Sequence, residues 1–234
     1  MIAITHVTKK FKRLKALDNV SVTCNKGECI ALVGPNASGK TTLIKSILGM
    51  VVPDSGSITF DGNNILHHWN YRSQIGYMPQ IGRYPDNMTI GQVLNMMKDI
   101  RRPIKAFDEA LIHAFQLQPL YAKRMRTLSG GTRQKVSACI AFLFDPEVLI
   151  LDEPTAGLDP LASEQLKEKI AFEKEKGKLI LITSHVLSEL DDLVTQVIYM
   201  QDGVVRFHKP IEEIRQDTGE QKLSRAIAHY MQYL

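Results

Sequence analysis

The stretch ECIALVGPNASGKTTLIKSILGM, Glu28 to Met50, decides the fold. Cys29 to Val33 is an unbroken apolar run of strand length, which predicts a buried β-strand. Leu43, Ile44, Ile47 and Leu48 recur at helical spacing, and Gly49 stands near the end of that pattern. Between strand and helix lies GPNASGKT, Gly34 to Thr41, which matches G-x-x-x-x-G-K-[ST] in the strand–loop–helix context that motif requires. Gly34 and Gly39 let the backbone curl so that successive N–H groups point at one anion. The helix starting near Lys40 adds about half a positive charge aimed at the same place. Lys40 supplies a point charge for β- and γ-phosphates, and the Thr41 hydroxyl is suited to Mg²⁺. Pro35, Asn36, Ala37, Ser38 and Thr42 complete the expected nucleotide-binding segment.

Working outward, VLILDE places Asp152 at the end of an apolar strand, where it would hold Mg²⁺ directly or through water. Its neighbour Glu153 is a candidate general base for water beside a metal-bound triphosphate. IAITHV, NVSVTC and ECIALVG read as strands at the start of the chain. Met88 to Phe144 reads instead as helical, with TIGQVLNMMKDI, DEALIHAFQL and GTRQKVSACIAFLF apolar at helical spacing and Pro103 and Pro119 interrupting. VLILD and KLILITS are buried-strand runs separated by a polar helix from Leu161 to Lys176, and TQVIYM-QDG-VVRFH reads as a hairpin. Strand–helix alternation of this kind predicts a mainly parallel α/β sheet. The expected organisation is one domain over 1–234. Residues 1–87 and 145–210 form its core, 88–144 an inserted helical subdomain, and 211–234 a helical tail that packs on its own domain or docks a partner.

Composition narrows the partners. The chain has 234 residues, 44% hydrophobic and 23% charged, and its formal net charge of +4 is spread along the sequence. Nothing there resembles a nucleic-acid footprint. Cys24, Cys29 and Cys139 show no CxxC spacing, so the three thiols read as small buried hydrophobes. The N-terminus lacks the order of a secretory signal, and no apolar run approaches the ~18 residues that cross a bilayer. A cytoplasmic location is therefore expected. His67-His68-Trp69 reads as a solvated loop, and Met96-Met97 as core or docking surface.

Together the motifs resemble one family, the nucleotide-binding subunits of ATP-binding-cassette (ABC) proteins. GPNASGKTT, LSGGTRQK (Leu128 to Lys135), LILDEPTAGLDP and ITSH occur in family order, and the likeness runs from Ile2 to about His208. It implies a P-loop NTPase (RecA-like) core, an N-terminal antiparallel β subdomain and an inserted α-helical signature subdomain. It also implies ATP and Mg²⁺ as ligands. Phe11 matches the aromatic that stacks on adenine, and Gln80 the Gln-loop residue that touches Mg²⁺ and the attacking water. Asp159 matches the D-loop aspartate that crosses to the other subunit, and His185 the switch histidine at the γ-phosphate. Ser129, Gly130 and Gly131, with Thr132 in place of glutamine, match a signature whose phosphate belongs to a partner subunit. Two chains would thus pair head to tail over two ATP molecules.

Three positions depart from the commonest pattern. Ala37 stands for a frequent glycine at a position expected not to need positive φ, Thr132 for the signature glutamine, and Ile140 for a common arginine. The expected role is the ATPase that energises a transporter through separate transmembrane subunits, on the cytoplasmic face of the inner membrane, paired with a second copy or a related ATPase. The segment Ile81 to Leu94 would dock a coupling helix. DEPTAGLDP, the non-Gln signature and the tail TGEQKLSRAIAHYM resemble exporter-type members. Among these, the short tail and Ile140 point to the ATPase of nitrous-oxide-reductase maturation, which supports copper-site assembly. A soluble ABC ATPase that remodels nucleoprotein is the alternative, against which the weak charge and the absence of inserted arms both weigh.

Overall fold

A computed structural model describes residues 1–101, 106–184 and 186–231. The chain forms two compact units, Met1–Ser73 with Lys174–Leu234, and Gln74–Glu173.

In the first unit, β1 (Ile2–Phe11), β2 (Leu14–Cys24), β4 (Ser55–Phe60) and β5 (Asn63–Asn64) make an antiparallel sheet in the order β2-β1-β4-β5. β1 is longer than its clean alternation suggests. The register shifts between Ile4 and Val7, and His6 takes a left-handed φ of 52° there. A bulge of this kind adds a residue and hides the period-two pattern. The second sheet of this unit is built on β3 (Cys29–Val33), parallel both to β8 (Leu179–Thr183) and to β9 (Gln196–Gln201). β10 (Val204–Pro210) closes the hairpin antiparallel to β9. Every residue of β3 and of β8 is buried, as unbroken apolar runs in parallel strands should be.

Helix α1 (Lys40–Ile47) buries Leu43, Ile44 and Ile47, the face expected from spacing. The tail forms α6 (Ile211–Thr218) and α7 (Leu223–Met231), and α7 packs on α6 and on the 3-10 turn Leu187–Leu190. Leu223, Ala226 and Ile227 are buried, whereas Met231 is exposed and Leu234 lies outside the described residues. Tyr230 meets Phe207 edge-on at 4.9 Å, and Phe207 stacks on Tyr199 at 5.4 Å. His67 and His68 are exposed, as a solvated loop should be.

In the second unit β6 (Ile75–Met78) runs parallel to β7 (Val148–Asp152). Helix α2 (Ile90–Ile100) starts at a reciprocal cap, in which Gln92 N donates to Thr89 Oγ1 at 3.2 Å and Thr89 N to Gln92 Oε1 at 2.9 Å. Helix α3 (Ala110–Ala114) is shorter than DEALIHAFQL implies, because Gln116 turns left-handed (φ 51°) just beyond it. Helix α4 (Gly130–Phe142) packs on β6 so closely that a Cβ on Gly76 would lie 2.0 Å from the Ala141 carbonyl oxygen. Helix α5 (Pro160–Glu175) carries Lys169, whose Nζ lies 2.5 Å from Asp108 Oδ2 and 2.6 Å from Glu173 Oε1. Pro103 lies outside the described residues.

The three cysteines are buried free thiols. Burial pushes Cys24 and Cys29 up to about 12, and Cys139 higher still. Among the described residues no helix is long and apolar enough to cross a membrane.

Candidate nucleotide site

The phosphate loop belongs to the first unit. Gly39 caps α1 with φ 104°, and a Cβ there would come within 2.5 Å of Ala16 O. Gly34 has φ 147°, and a Cβ would overlap Met200 O at 2.0 Å. Both positions thus need glycine for torsion and for space. Gly203 N donates to Ser38 O at 3.1 Å, pinning the loop to the β9–β10 turn. Lys40 Nζ donates to Gly34 O at 2.8 Å and to Pro35 O at 2.9 Å, so the ammonium sits inside the curl of its own loop. Pro35, Asn36, Ala37 and Thr41 are exposed, Thr42 is half-buried and Ser38 is buried.

One expectation is corrected here. Ala37 takes φ 62°, the left-handed region. The loop keeps its curl through this residue, which is why glycine suits the position and why alanine is strained by about 1 kcal/mol. Phe11, at the end of β1, is 46% exposed, and Lys9 Nζ lies over its ring 5.6 Å from the centroid.

The acidic and signature residues belong to the second unit. Asp152 ends β7 with only 7% of its surface exposed. Tyr77 of β6 is raised to about 12, mainly by burial and further by the Asp152 charge. Glu153 leaves the strand with φ 52° and is half-buried, and Gln80 is exposed two residues beyond β6. Gln80 and Asp152 in this unit offer an amide and a carboxylate oxygen, and Thr41 in the first unit a hydroxyl, each a hard donor of the type Mg²⁺ takes.

Ser129 caps α4, its Oγ accepting from Thr132 N at 3.2 Å and lying 2.9 Å from Thr132 Oγ1. The threonine therefore touches the serine hydroxyl directly, a contact not legible from the motif. No acidic residue occupies the first turn of α4, which leaves its N-terminal amides electropositive. Asp159 Oδ1 accepts from Ala162 N at 3.0 Å, capping α5, while Oδ2 pairs with Lys135 Nζ at 2.6 Å. The Lys135 hydrogen bond, with the Ala162 amide behind it, holds the Asp159 carboxyl below its usual range. Gln134, which is buried, donates from Nε2 to Glu153 O at 3.4 Å. Sequence reasoning singled out neither Gln134 nor Lys135. The only signal was their spacing on one face of α4 with Gly131. His185 lies outside the described residues.

The family profile described as ABC transporter matches residues 17–156, from the antiparallel sheet through the phosphate loop and signature to Glu153. The chain belongs to the ABC transporter family. It is 32% identical over 235 residues to the ABC transporter ATP-binding protein NatA of Bacillus subtilis, covering 96% of this cassette and 95% of that protein. It is 29% identical to the Nod factor export ATP-binding protein I of Ralstonia nicotianae, covering 94% and 70% of the two chains. With the human phospholipid-transporting ATPase ABCA3 it shares 38% identity over 195 residues, which are 81% of this cassette but 11% of that much longer protein. The solved ATP-binding subunit of an ABC transporter superposes with TM-score 0.88 at 27% identity, covering 97% and 98% of the two chains. A dimeric post-hydrolysis cassette bound to ADP and phosphate shares the fold, with TM-score 0.81 at 23% identity over 90% and 99% of the chains. The fold is that of a P-loop NTPase cassette, and the cassette is an ATPase domain.

Proposed function

We propose that this cassette binds and hydrolyses ATP to drive export through a separate polytopic transmembrane subunit, closing head to tail on a second copy or a related ATPase. The observation that carries this reading is that one chain holds two helix N-termini within glycine-containing motifs, neither with an acidic residue in its first turn. One is the Gly39-capped start of α1 with Lys40, and the other is the Ser129-capped start of α4. A single triphosphate loop needs only the first. The second fits a nucleotide held by another molecule, contacted through Ser129, Gly130 and Gly131 with Thr132 behind them.

In this reading Phe11 stacks on adenine. The loop Gly34–Thr42 wraps the phosphates, and Lys40 exchanges its carbonyl contacts for β- and γ-phosphate oxygens. Thr41, Gln80 and Asp152 would hold Mg²⁺, which when bound neutralises phosphate charge. Glu153 takes the proton of the attacking water, while Gln80 and His185 orient it. Signature amides from the second cassette face the γ-phosphate, and Asp159 borders that junction.

Export is supported by the likeness to a Nod factor export protein, and transport more broadly by the likeness to a phospholipid-transporting ATPase. The narrower likeness to nitrous-oxide-reductase maturation rests on Ile140 and the short tail. For the coupling helix of the transmembrane subunit we place the dock at Ile81 to Leu94. Ile81 is exposed there, and a hollow of about 570 Å³ is lined by Met88 and Gln92 of that segment together with Asn95, Met96, Asp99 and Ile100 beyond it. That contact would hold the cassette at the cytoplasmic face of the membrane.

The test is Glu153→Gln beside Lys40→Ala. Glu153→Gln is expected to bind ATP, lose turnover and accumulate as a nucleotide-trapped dimer by size-exclusion chromatography. Turnover at the parental rate would remove Glu153 from the role of base. Lys40→Ala is expected to weaken ATP binding itself, and unchanged affinity would sink the assignment of the loop. Co-purification of the cassette with a polytopic membrane protein supports transport, whereas a stable complex with ribosomes or DNA in its place would favour nucleoprotein remodelling.

A further inference from the structure

Residues 131, 134 and 135 of α4 share one face, since they are three and four positions apart. Each of them meets the connection from β7 to α5. Gly131 approaches so closely that a Cβ would lie 2.6 Å from Gly157 O. Gln134 Nε2 reaches Glu153 O at 3.4 Å, and Lys135 Nζ reaches Asp159 Oδ2 at 2.6 Å. The connection is therefore held at its first residue, near its middle and at its last residue before α5. Its own turns, Ala156 N to Glu153 O at 3.1 Å and Leu158 N to Thr155 O at 3.1 Å, make it stiff between those points. Lys135 is fixed in turn by the Phe115 ring, whose centroid lies 5.8 Å from Nζ. All of these groups lie within the second unit.

We infer that Gln134 and Lys135 are positioning residues for hydrolysis: they tie the signature helix to the connection that carries Glu153, so that a phosphate seated at Ser129 and Gly131 fixes where the Glu153 carboxylate of the same chain stands. The inference rests on the reading of Glu153 as base. Its physical content is that α4 and the 153–159 connection move as one piece. Engagement of the signature by one nucleotide then readies the carboxylate belonging to the other. Neither side chain touches a reacting atom. Gln134 acts through the Glu153 main chain, and Lys135 through Asp159 and the start of α5. A displacement of about 1 Å at a base is enough to cost one to two orders of magnitude in rate, so the ties are worth testing by kinetics.

The experiment compares Lys135→Met, Lys135→Arg and Gln134→Leu with the parental chain in steady-state ATP hydrolysis, nucleotide binding and thermal unfolding. Lys135→Met and Gln134→Leu are expected to lower kcat about tenfold while KM for ATP stays within about twofold and nucleotide binding is unchanged. Lys135→Arg, which keeps the charge and its reach to Asp159, should recover most of kcat. In a Glu153→Gln background, Lys135→Met should leave the ATP-trapped dimer intact, because the tie acts on chemistry and not on pairing. Parental kcat in Lys135→Met, a fall in kcat explained by an equal loss of ATP binding or of folded protein, or loss of the trapped dimer would each overturn the inference. If Glu153→Gln alone hydrolyses at the parental rate, it is the base assignment that has failed, and the two failures are told apart.

Discussion

Two adjacent glycines in the signature should behave oppositely when each is changed to alanine. At Gly130 an added Cβ meets nothing within 4 Å, while at Gly131 it would sit 2.6 Å from Gly157 O, well inside the 3.4 Å where ordinary contact begins. Neither residue has a positive φ, so backbone torsion does not separate them. In a helix, alanine is favoured over glycine by about 0.5 kcal/mol or more. Gly130→Ala is therefore expected to be neutral or slightly stabilising in the nucleotide-free chain. Gly131→Ala gains the same propensity but must push α4 away from a main-chain oxygen that cannot rotate aside, an overpacking cost of about 2 kcal/mol. For a chain of this size, 1 kcal/mol moves the midpoint by about 2–4 °C. The two variants should thus melt about 6 °C apart, with Gly131→Ala lower, when unfolding is followed by circular dichroism without nucleotide. Equal midpoints would show that α4 does not hold the close approach from which the tie to Glu153 was argued.

Ala37→Gly should raise the midpoint slightly, because a left-handed alanine is replaced by the residue that adopts φ 62° freely; a lower midpoint would contradict the strain. Lys169→Met should destabilise the second unit by about 3 kcal/mol, since it leaves the buried Glu173 and the nearby Asp108 without their shared cation; a shift under 1 kcal/mol in urea titration would refute that. Burial holds His208 below its ordinary imidazole value of 6.5, against a smaller opposing pull from Glu28. The unfolded chain then takes up the proton first, so stability present above about pH 6.5 is lost as pH falls through that value toward the folded one. His208→Leu should flatten the midpoint's pH dependence below about pH 6.5, and an unchanged slope would exclude this histidine as its source.

What could be read from the sequence was whatever is encoded locally. The phosphate loop is legible because Gly34, Gly39, Lys40 and Thr41 act within eight residues, and the strands flanking it because β3 and β8 are apolar throughout. The polar helix after GLDP was placed to within a residue, at Pro160–Glu175. Illegible features depend on partners far away in the chain. Lys169 reaches Asp108 across 61 positions, and no spacing rule connects them. The Lys135–Asp159 pair is hidden in the same way: Asp159 stands out through its D-loop match, but Lys135 reads as an ordinary surface charge and no spacing rule joins the two. The left-handed torsion of Ala37 is not legible either, because it follows from loop closure and not from its own side chain. The bulge after Ile4 concealed the second half of β1 by breaking the alternation that strand recognition depends on.

Ala37 and Glu153 share the same left-handed backbone, at φ 62° and 52°. A redesign guided only by folding free energy would choose glycine at both positions, and the two choices would have opposite fates. At 37 the chain would lose a methyl group, and its phosphate loop would sit more easily. At 153 it would lose the carboxylate proposed to take a proton from water, and a sturdier protein would be an inert one. The torsional cost at Glu153 is a trade of robustness for turnover, made at one residue.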